Sequence, residues 1–303
     1  MWQRIWLYLK EMYPPGPAFA MAMLSFFNLW FMLSAIHGLA LQINWPSLAG
    51  GTTLFLFLLF LRISDEFKDL EADKVLFPER LVPSGRVKES DLGVLLWLSV
   101  GLMILLNLSL SHALLAFGVL FAYGVLMYHY FFVPRLIAGN LMLALISHNP
   151  SVLLMNAYGV AVFCGFYGTA FWDPRHAWLA VIFWLPGLGW ELARKIKAPE
   201  DENDYVTYSR LLGYKLAALL PMSAFSLQYL LLMRLNETLL FSMPFMILYS
   251  LLLLGLLGFF CRFILLPSAE TARLKPIVEV YMLVSSVWLI MELVLQRGVL
   301  WTL

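Results

Sequence analysis

Asp65, Asp69 and Asp73 recur every four residues at the end of a long apolar run, GTTLFLFLLFLRISDEFKDLEAD (Gly51 to Asp73), with Glu66 beside the first of them. On a helix, residues four apart lie just over one turn apart, so the three aspartates fall along one face. Carboxylates stacked in this way repel one another unless a cation sits among them. Oxygen-only ligands suit a hard ion such as Mg²⁺, and Mg²⁺ is usually shared with phosphate. Asp65, Glu66, Asp69 and Asp73 are therefore candidate metal ligands, with Asp65, Asp69 and Asp73 also candidate catalytic residues. A second charged segment supplies Glu191, Asp201 and Asp204, candidates for a second ion, with Glu191 also a candidate catalytic residue.

Both acidic segments are interleaved with cations. Arg62, Lys68 and Arg80 accompany the first; Arg194 and Lys195 accompany the second. Arg and Lys can hold the charge that a metal leaves on a diphosphate. A diphosphate on a lipid tail would place its head here and its tail among the neighbouring apolar residues. The plainer reading is a solvated helix end, with Arg62 and Lys68 pairing at helical spacing and Arg194 and Lys195 serving only as membrane anchors. His148 and Asn149 stand inside a predicted span. Polar groups there are candidates for substrate binding; the alternative is a satisfied pair at a kink before Pro150. Glu292, Tyr123 and Tyr128 are weaker candidates.

The elements that must position these groups are membrane helices. The chain has 303 residues, of which 62% are hydrophobic and only 13% charged, with a mean hydropathy of +0.81. An ordinary globular domain carries roughly 25% charged residues. A net charge of +1 gives no argument for nucleic acid. Cys164 and Cys261 both lie in apolar runs and suggest neither a disulfide framework nor a thiolate site. The amphipathic stretch 1–16 predicts an interfacial helix rather than a cleaved leader. A span needs about 20 mostly apolar residues. Nine are expected, near 17–41, 46–64, 92–110, 112–133, 136–160, 174–193, 211–233, 239–265 and 277–300, in one domain covering 1–303. Nine crossings put 17 of the 20 Lys and Arg on one side, leaving Arg175, Arg234 and Arg297 on the other. The N-terminus is then cytoplasmic, and the long charged loops, about 62–91 and 191–215, are cytoplasmic too. Their separation by four spans suggests two related halves with a site between them.

These two loops carry a resemblance. Asp65-Glu66-Phe67-Lys68-Asp69-Leu70-Glu71-Ala72-Asp73 has the spacing of the N-D-x-x-D-x-x-x-D motif, and Arg80-Leu81-Val82-Pro83-Ser84-Gly85 is similar to the R-P-L-P-S-G that follows it, in the UbiA superfamily of intramembrane prenyltransferases. Glu191, Asp201, Asp204 and Tyr208 to Gly213 correspond loosely to that family's second acidic motif. Asp65 stands where the family usually has Asn, Glu66 where it has Asp, and Glu191 where it has Asp. Arg135 occupies a place where the family often carries a basic residue. The resemblance implies an all-α, polytopic fold of nine helices around a central cavity with a cytoplasmic polar cap. It implies a Mg²⁺-dependent transferase taking an isoprenoid diphosphate donor and passing its prenyl group to an unidentified, lipophilic or aromatic acceptor. Arg80, Arg135, Arg194 and Lys195 would contact the diphosphate, and the active site would open to the cytoplasm. A terpene cyclase of the same family, acting on the same donor, is the nearest alternative; a divalent-ion transporter is the alternative from another class.

Overall fold

A computed structural model describes residues 1–137, 139–202 and 206–302. Its helices, in chain order, are α1 (Trp2–Met12), α2 (Pro15–Ile36), α3 (Trp45–Leu76), α4 (Glu89–Leu108), α5 (Leu114–Tyr128), α6 (Pro134–Ile137), α7 (Leu141–His148), α8 (Pro150–Tyr167), α9 (Pro174–Ala193), α10 (Tyr208–Leu212), α11 (Tyr214–Arg234), α12 (Asn236–Leu239), α13 (Met243–Leu265) and α14 (Leu274–Arg297). Two short strands, β1 (Gln42–Asn44) and β2 (Leu300–Thr302), pair in parallel and tie the C-terminal segment to the start of α3. The fold is all-α apart from this clip.

Eight helical stretches among the described residues are long and apolar enough to cross a membrane: 15–36, 45–76, 89–108, 111–128, 141–167, 214–239, 243–265 and 274–297. Nine were expected; the remaining candidate, 174–193, is the 20-residue α9. It carries Arg175, His176 and Glu191, with Pro186 in its interior. It packs among α2, α8, α11 and α14, so its neighbours, rather than lipid, cover much of its surface. At Gly189 a Cβ would lie 2.6 Å from the Phe225 ring of α11, so glycine lets these two helices approach closely.

Helix α3 starts on a reciprocal cap. Asn44 Oδ1 accepts from the Ser47 N–H at 2.9 Å, and the Asn44 N–H donates to Ser47 Oγ at 3.0 Å. The helix runs beyond the expected 46–64 because neither Gly nor Pro interrupts it after Gly51; it stops at Phe77, ahead of Pro78. Residues 62–73, expected in a loop of about 62–91, are helical. The fifth span is also displaced, from 136–160 to 141–167, because a turn and the short α6 precede it. The expected break at Asn149-Pro150 is mild. Pro150 lacks the N–H that would continue the ladder, yet Asn149 keeps helical angles, φ −64° and ψ −30°.

Successive connections alternate between two ends of the bundle. At one end Trp45 Nε1 donates to Ser109 Oγ at 3.0 Å, Arg175 donates to the Ile36 carbonyl at 3.2 Å, and β1 meets β2. At the other, Arg4 donates to Asp91 at 2.6 Å, Arg86 pairs with Glu11 at 3.3 Å, and Trp190 Nε1 donates to Glu279 at 3.1 Å. This second end also holds the C-terminal turns of α3 and is called the acidic end below. Between the ends, Trp30, Phe57, Tyr158 and Phe163 are buried in one apolar cluster. Within it the Tyr158 hydroxyl donates to Asn107 Oδ1 at 2.8 Å, and Asn107 Nδ2 donates to Thr53 Oγ1 at 3.0 Å.

Candidate active site

The acidic end assembles from α3, the turn after α5 and the C-terminal turn of α9. On α3 the carboxylates do not form one cage. A four-residue step rotates about 40° and rises about 6 Å, so Asp65 and Asp73 sit about 12 Å and 80° apart along the helix. Glu66 and Asp73 turn inward and are buried, whereas Asp69 is exposed. Each acid has a partner. Lys68 Nζ lies 2.7 Å from Asp65 Oδ1, Arg62 donates to Glu66 at 2.5 Å, and Arg80 donates to Asp73 Oδ2 at 2.7 Å. Asp69 Oδ1 accepts from the Tyr130 hydroxyl at 3.1 Å. The Lys68 ammonium also lies 4.8 Å from the Tyr130 ring centroid.

Tyr130 belongs to a turn that sequence reasoning missed. Tyr130, Phe131 and Phe132 all take left-handed backbone angles, with φ of 49°, 52° and 62°. Such angles cost about 1–3 kcal/mol each for residues with a side chain and persist only where the surroundings hold them. Here Phe131 packs edge-on to Tyr123 and to His148, and Tyr130 is tied to Asp69. Burial, then the neighbouring Asp69 carboxylate, push the Tyr130 phenol well above its ordinary range, so it stays a proton donor. Nothing in Tyr-Phe-Phe announces this conformation, since left-handed turns are ordinarily signalled by Gly or Asn.

The second charged segment faces the first. Glu191 is held by Arg194 through two contacts, Nε at 2.5 Å and Nη2 at 2.9 Å, and Lys195 Nζ lies 3.9 Å away. The Lys195 side chain is only 16% exposed. Burial, then Arg194, depress its pKa; Glu191 and then Asp69 pull it back. Asp69 on α3 and Lys195 after α9 therefore share one electrostatic environment. His148 lies within reach of charges from both segments, namely Lys68, Asp65 and Glu191. Its Nδ1 also contacts the Ala144 carbonyl and the Ser147 hydroxyl, each at 2.9 Å. Asn149 Oδ1 accepts from Trp184 Nε1 at 2.5 Å, a contact that braces α9 against the α7–α8 junction. Arg135 is exposed on α6. Asp201 ends a short 3₁₀ turn, Pro199–Asp201, and is exposed. Asp204 lies outside the described residues. Glu292, buried in α14, accepts from the Ser242 N–H and hydroxyl and from Gln296, which makes it a cap for α13.

Two surface grooves lie away from this end. One, of about 450 Å³, runs between α13 and α14 and is lined by Met243, Ile247, Leu251 and Trp288. The other, of about 180 Å³, is bordered by Pro46, His112 and Phe166. A separate cluster able to coordinate a metal ion, His37, Asp173 and His176, has ligand atoms within 4.8 Å of one another. It is at the end opposite the acids.

No family model matches the chain, and no curated protein matches it. Among solved structures it is similar to one described as giving structural and mechanistic insight into digeranylgeranylglyceryl phosphate synthase in membranes. The TM-score is 0.63 at 15% identity, over 96% of this chain and 99% of that one. At that identity the likeness is one of fold, and it extends over nearly the whole bundle.

Proposed function

We propose that this chain is an intramembrane prenyltransferase that draws an isoprenoid group from its diphosphate and passes it to a lipophilic or aromatic acceptor. The observation that carries the reading is the placing of two charged segments far apart in sequence, the α3 carboxylates and Glu191 to Lys195, at one end of an apolar bundle, near enough for the Asp69 charge to act on Lys195. The fold supports it, because the similar structure bears the name of a synthase whose product carries isoprenoid chains on glycerol phosphate.

The donor set on α3 is oxygen-only and fits Mg²⁺. Asp65 with Asp69, or Asp69 with Asp73, one turn apart, would hold it, with Asp69 common to both pairs and Glu66 behind them. In the second segment Glu191, whose two oxygens accept from Arg194, and Asp201 are the described candidates for a further ion. When bound, Mg²⁺ neutralises the charge that develops on the departing diphosphate. The chain's cations act on the same charge. Lys68, Arg80, Arg194 and Lys195 surround the diphosphate and stabilise it as the C–O bond to the prenyl carbon breaks. The apolar bundle keeps water from the allylic cation until the acceptor attacks and releases its proton. Arg62 holds Glu66 and orients it, while Tyr130 holds Asp69. His148, under the charges of both segments, would take the acceptor's proton, and Asn149, held by Trp184, would steady the helix junction that carries it.

In this reading α9 is a ninth crossing, the acidic end is cytoplasmic, and the N-terminal helix lies in the cytoplasmic interface. The side-specific labelling of introduced cysteines tests it. Cysteines at Ser90 and Glu200 label from the cytoplasmic side, and one at Trp172 from the other. Labelling of positions 90 and 200 from opposite sides would remove both the nine-span arrangement and the shared site.

A further inference from the structure

At the end of the bundle opposite the acids, two imidazoles point at each other. His37 is the residue that ends α2, and His176 stands in the first turn of α9; their Nε2 atoms are 2.8 Å apart. Asp173, the N-cap of α9, completes a group whose ligand atoms lie within 4.8 Å of one another. The three residues come from two segments more than 130 positions apart. From this cluster to the carboxylates, α3 alone spans at least 20 residues, about 30 Å of helix.

The surroundings of His176 are those of a ligand. Its Nδ1 lies 3.1 Å from the Phe171 carbonyl and donates a proton to it. That bond fixes the tautomer and leaves Nε2 with a bare lone pair aimed at His37. Metal-binding histidines are ordinarily held this way, by a carbonyl or carboxylate on the far nitrogen. Asp173 is oriented from behind: Oδ1 accepts from the Arg175 N–H at 2.9 Å, Oδ2 accepts from Arg175 Nη2 at 2.6 Å, and the Arg175 Nε–H is shared between both oxygens at 3.0 Å. A carboxylate has about four acceptor positions, so these three donors leave one for another partner. His176 is buried, while His37 and Asp173 are partly exposed, which gives a path for an ion from solution.

We propose that His37, Asp173 and His176 form a transition-metal site of the Zn²⁺ class, separate from the acidic end, which clasps the C-terminus of α2 to the N-terminus of α9. Two imidazoles and one carboxylate suit Zn²⁺ or its neighbours and do not suit Mg²⁺, which prefers oxygen throughout. Zn–N bonds of about 2.0–2.1 Å in a tetrahedron place two nitrogens about 3.3 Å apart. The rings therefore part by about half an ångström on binding. The proton now held between the two Nε2 atoms moves to His37 Nδ1, and Arg175, 3.4 Å from that nitrogen, turns wholly to Asp173. The fourth position is left for water. The site does not depend on the transferase reading.

The test is Co²⁺ titration of the full-length protein, purified in detergent after treatment with chelator and followed by visible absorption, with Zn²⁺ as competitor. One equivalent of Co²⁺ should give the absorption of a tetrahedral nitrogen–oxygen site, and Zn²⁺ should abolish it. His37→Ala, at a half-exposed helix end, should lower the affinity at least about tenfold. Asp173→Asn keeps an N-cap but should weaken binding likewise, whereas Asp69→Asn should leave it unchanged. Zn²⁺ should also raise the unfolding temperature of wild type and not of His37→Ala. Absence of a stoichiometric Co²⁺ complex in wild type would overturn the proposal, as would equal affinity in wild type, His37→Ala and Asp173→Asn.

Discussion

The Tyr130 hydroxyl donates to Asp69 Oδ1 at 3.1 Å, bridging a left-handed aromatic turn and the exposed acid of α3. It is the contact through which the segment after α5 reaches the carboxylates. Tyr130→Phe keeps the ring above Lys68 and removes only the hydroxyl. Asp69 then loses its fixed orientation. The Mg²⁺ concentration for half-maximal activity should rise several-fold, while stability changes by no more than about 1.5 kcal/mol. A Mg²⁺ titration of donor turnover, paired with thermal unfolding, checks this. An unchanged Mg²⁺ requirement would show that Tyr130 does not position Asp69.

Lys195 gives the site a pH dependence whose sign follows from its surroundings. Burial, then Arg194, hold its pKa below the ordinary lysine value of 10.5. An anionic diphosphate favours the protonated form. Donor binding should therefore be strongest below the depressed pKa and weaken as pH rises through it, earlier than for an exposed lysine. Lys195→Arg should carry that alkaline limb out of reach, because guanidinium does not titrate there. The measurement is the affinity of a non-reacting donor analogue against pH for both proteins. Coincident profiles would remove Lys195 from the diphosphate site.

Glu292 is, with His148, one of the two ionisable residues that a transporter reading would place in an ion path. Its carboxylate instead receives the Ser242 N–H at 2.5 Å, the Ser242 hydroxyl at 2.8 Å and Gln296 at 2.6 Å. Glu292→Gln presents an NH₂ where an acceptor is needed. It should destabilise the protein by about 1–3 kcal/mol, the cost of leaving a buried polar group unpaired. The Mg²⁺ and donor dependence of activity should not move. A variant of normal stability with altered ion dependence would contradict the capping role.

Hydropathy made most of the helices legible, because an apolar run of 20 residues has few other fates. The amphipathic start was legible too: in α1, Ile5 and Tyr8 are buried while Trp2 and Trp6 are exposed. Spacing indicated that Asp65, Asp69 and Asp73 share a face, but not where the helix ends; α3 runs to Leu76, and the inward acids are Glu66 and Asp73. Helix α9 was expected as a span by length, although its composition falls short, since a helix enclosed by others can afford His176 and Pro186. Tyr130 was hidden because its role comes from a backbone conformation foreign to its residue type. His37 and His176 were hidden because 139 residues separate them, and only the packing of α2 against α9 brings them together.

If Asp69 and its neighbours hold an isoprenoid diphosphate whose prenyl group leaves for an acceptor, diphosphate release by the purified protein with Mg²⁺ and an isoprenoid diphosphate, measured with and without a membrane lipid extract, reads it out. The lipids should be analysed by mass spectrometry, with Asp69→Asn run beside wild type. Release should be slight from the donor alone and strong with the extract, with a prenylated lipid among the products, and a folded Asp69→Asn protein should give neither the strong release nor the prenylated lipid. Steady release from the donor alone with a cyclic hydrocarbon as product would contradict it in favour of a cyclase. Full activity in Asp69→Asn, or no release from any isoprenoid diphosphate, would contradict it outright.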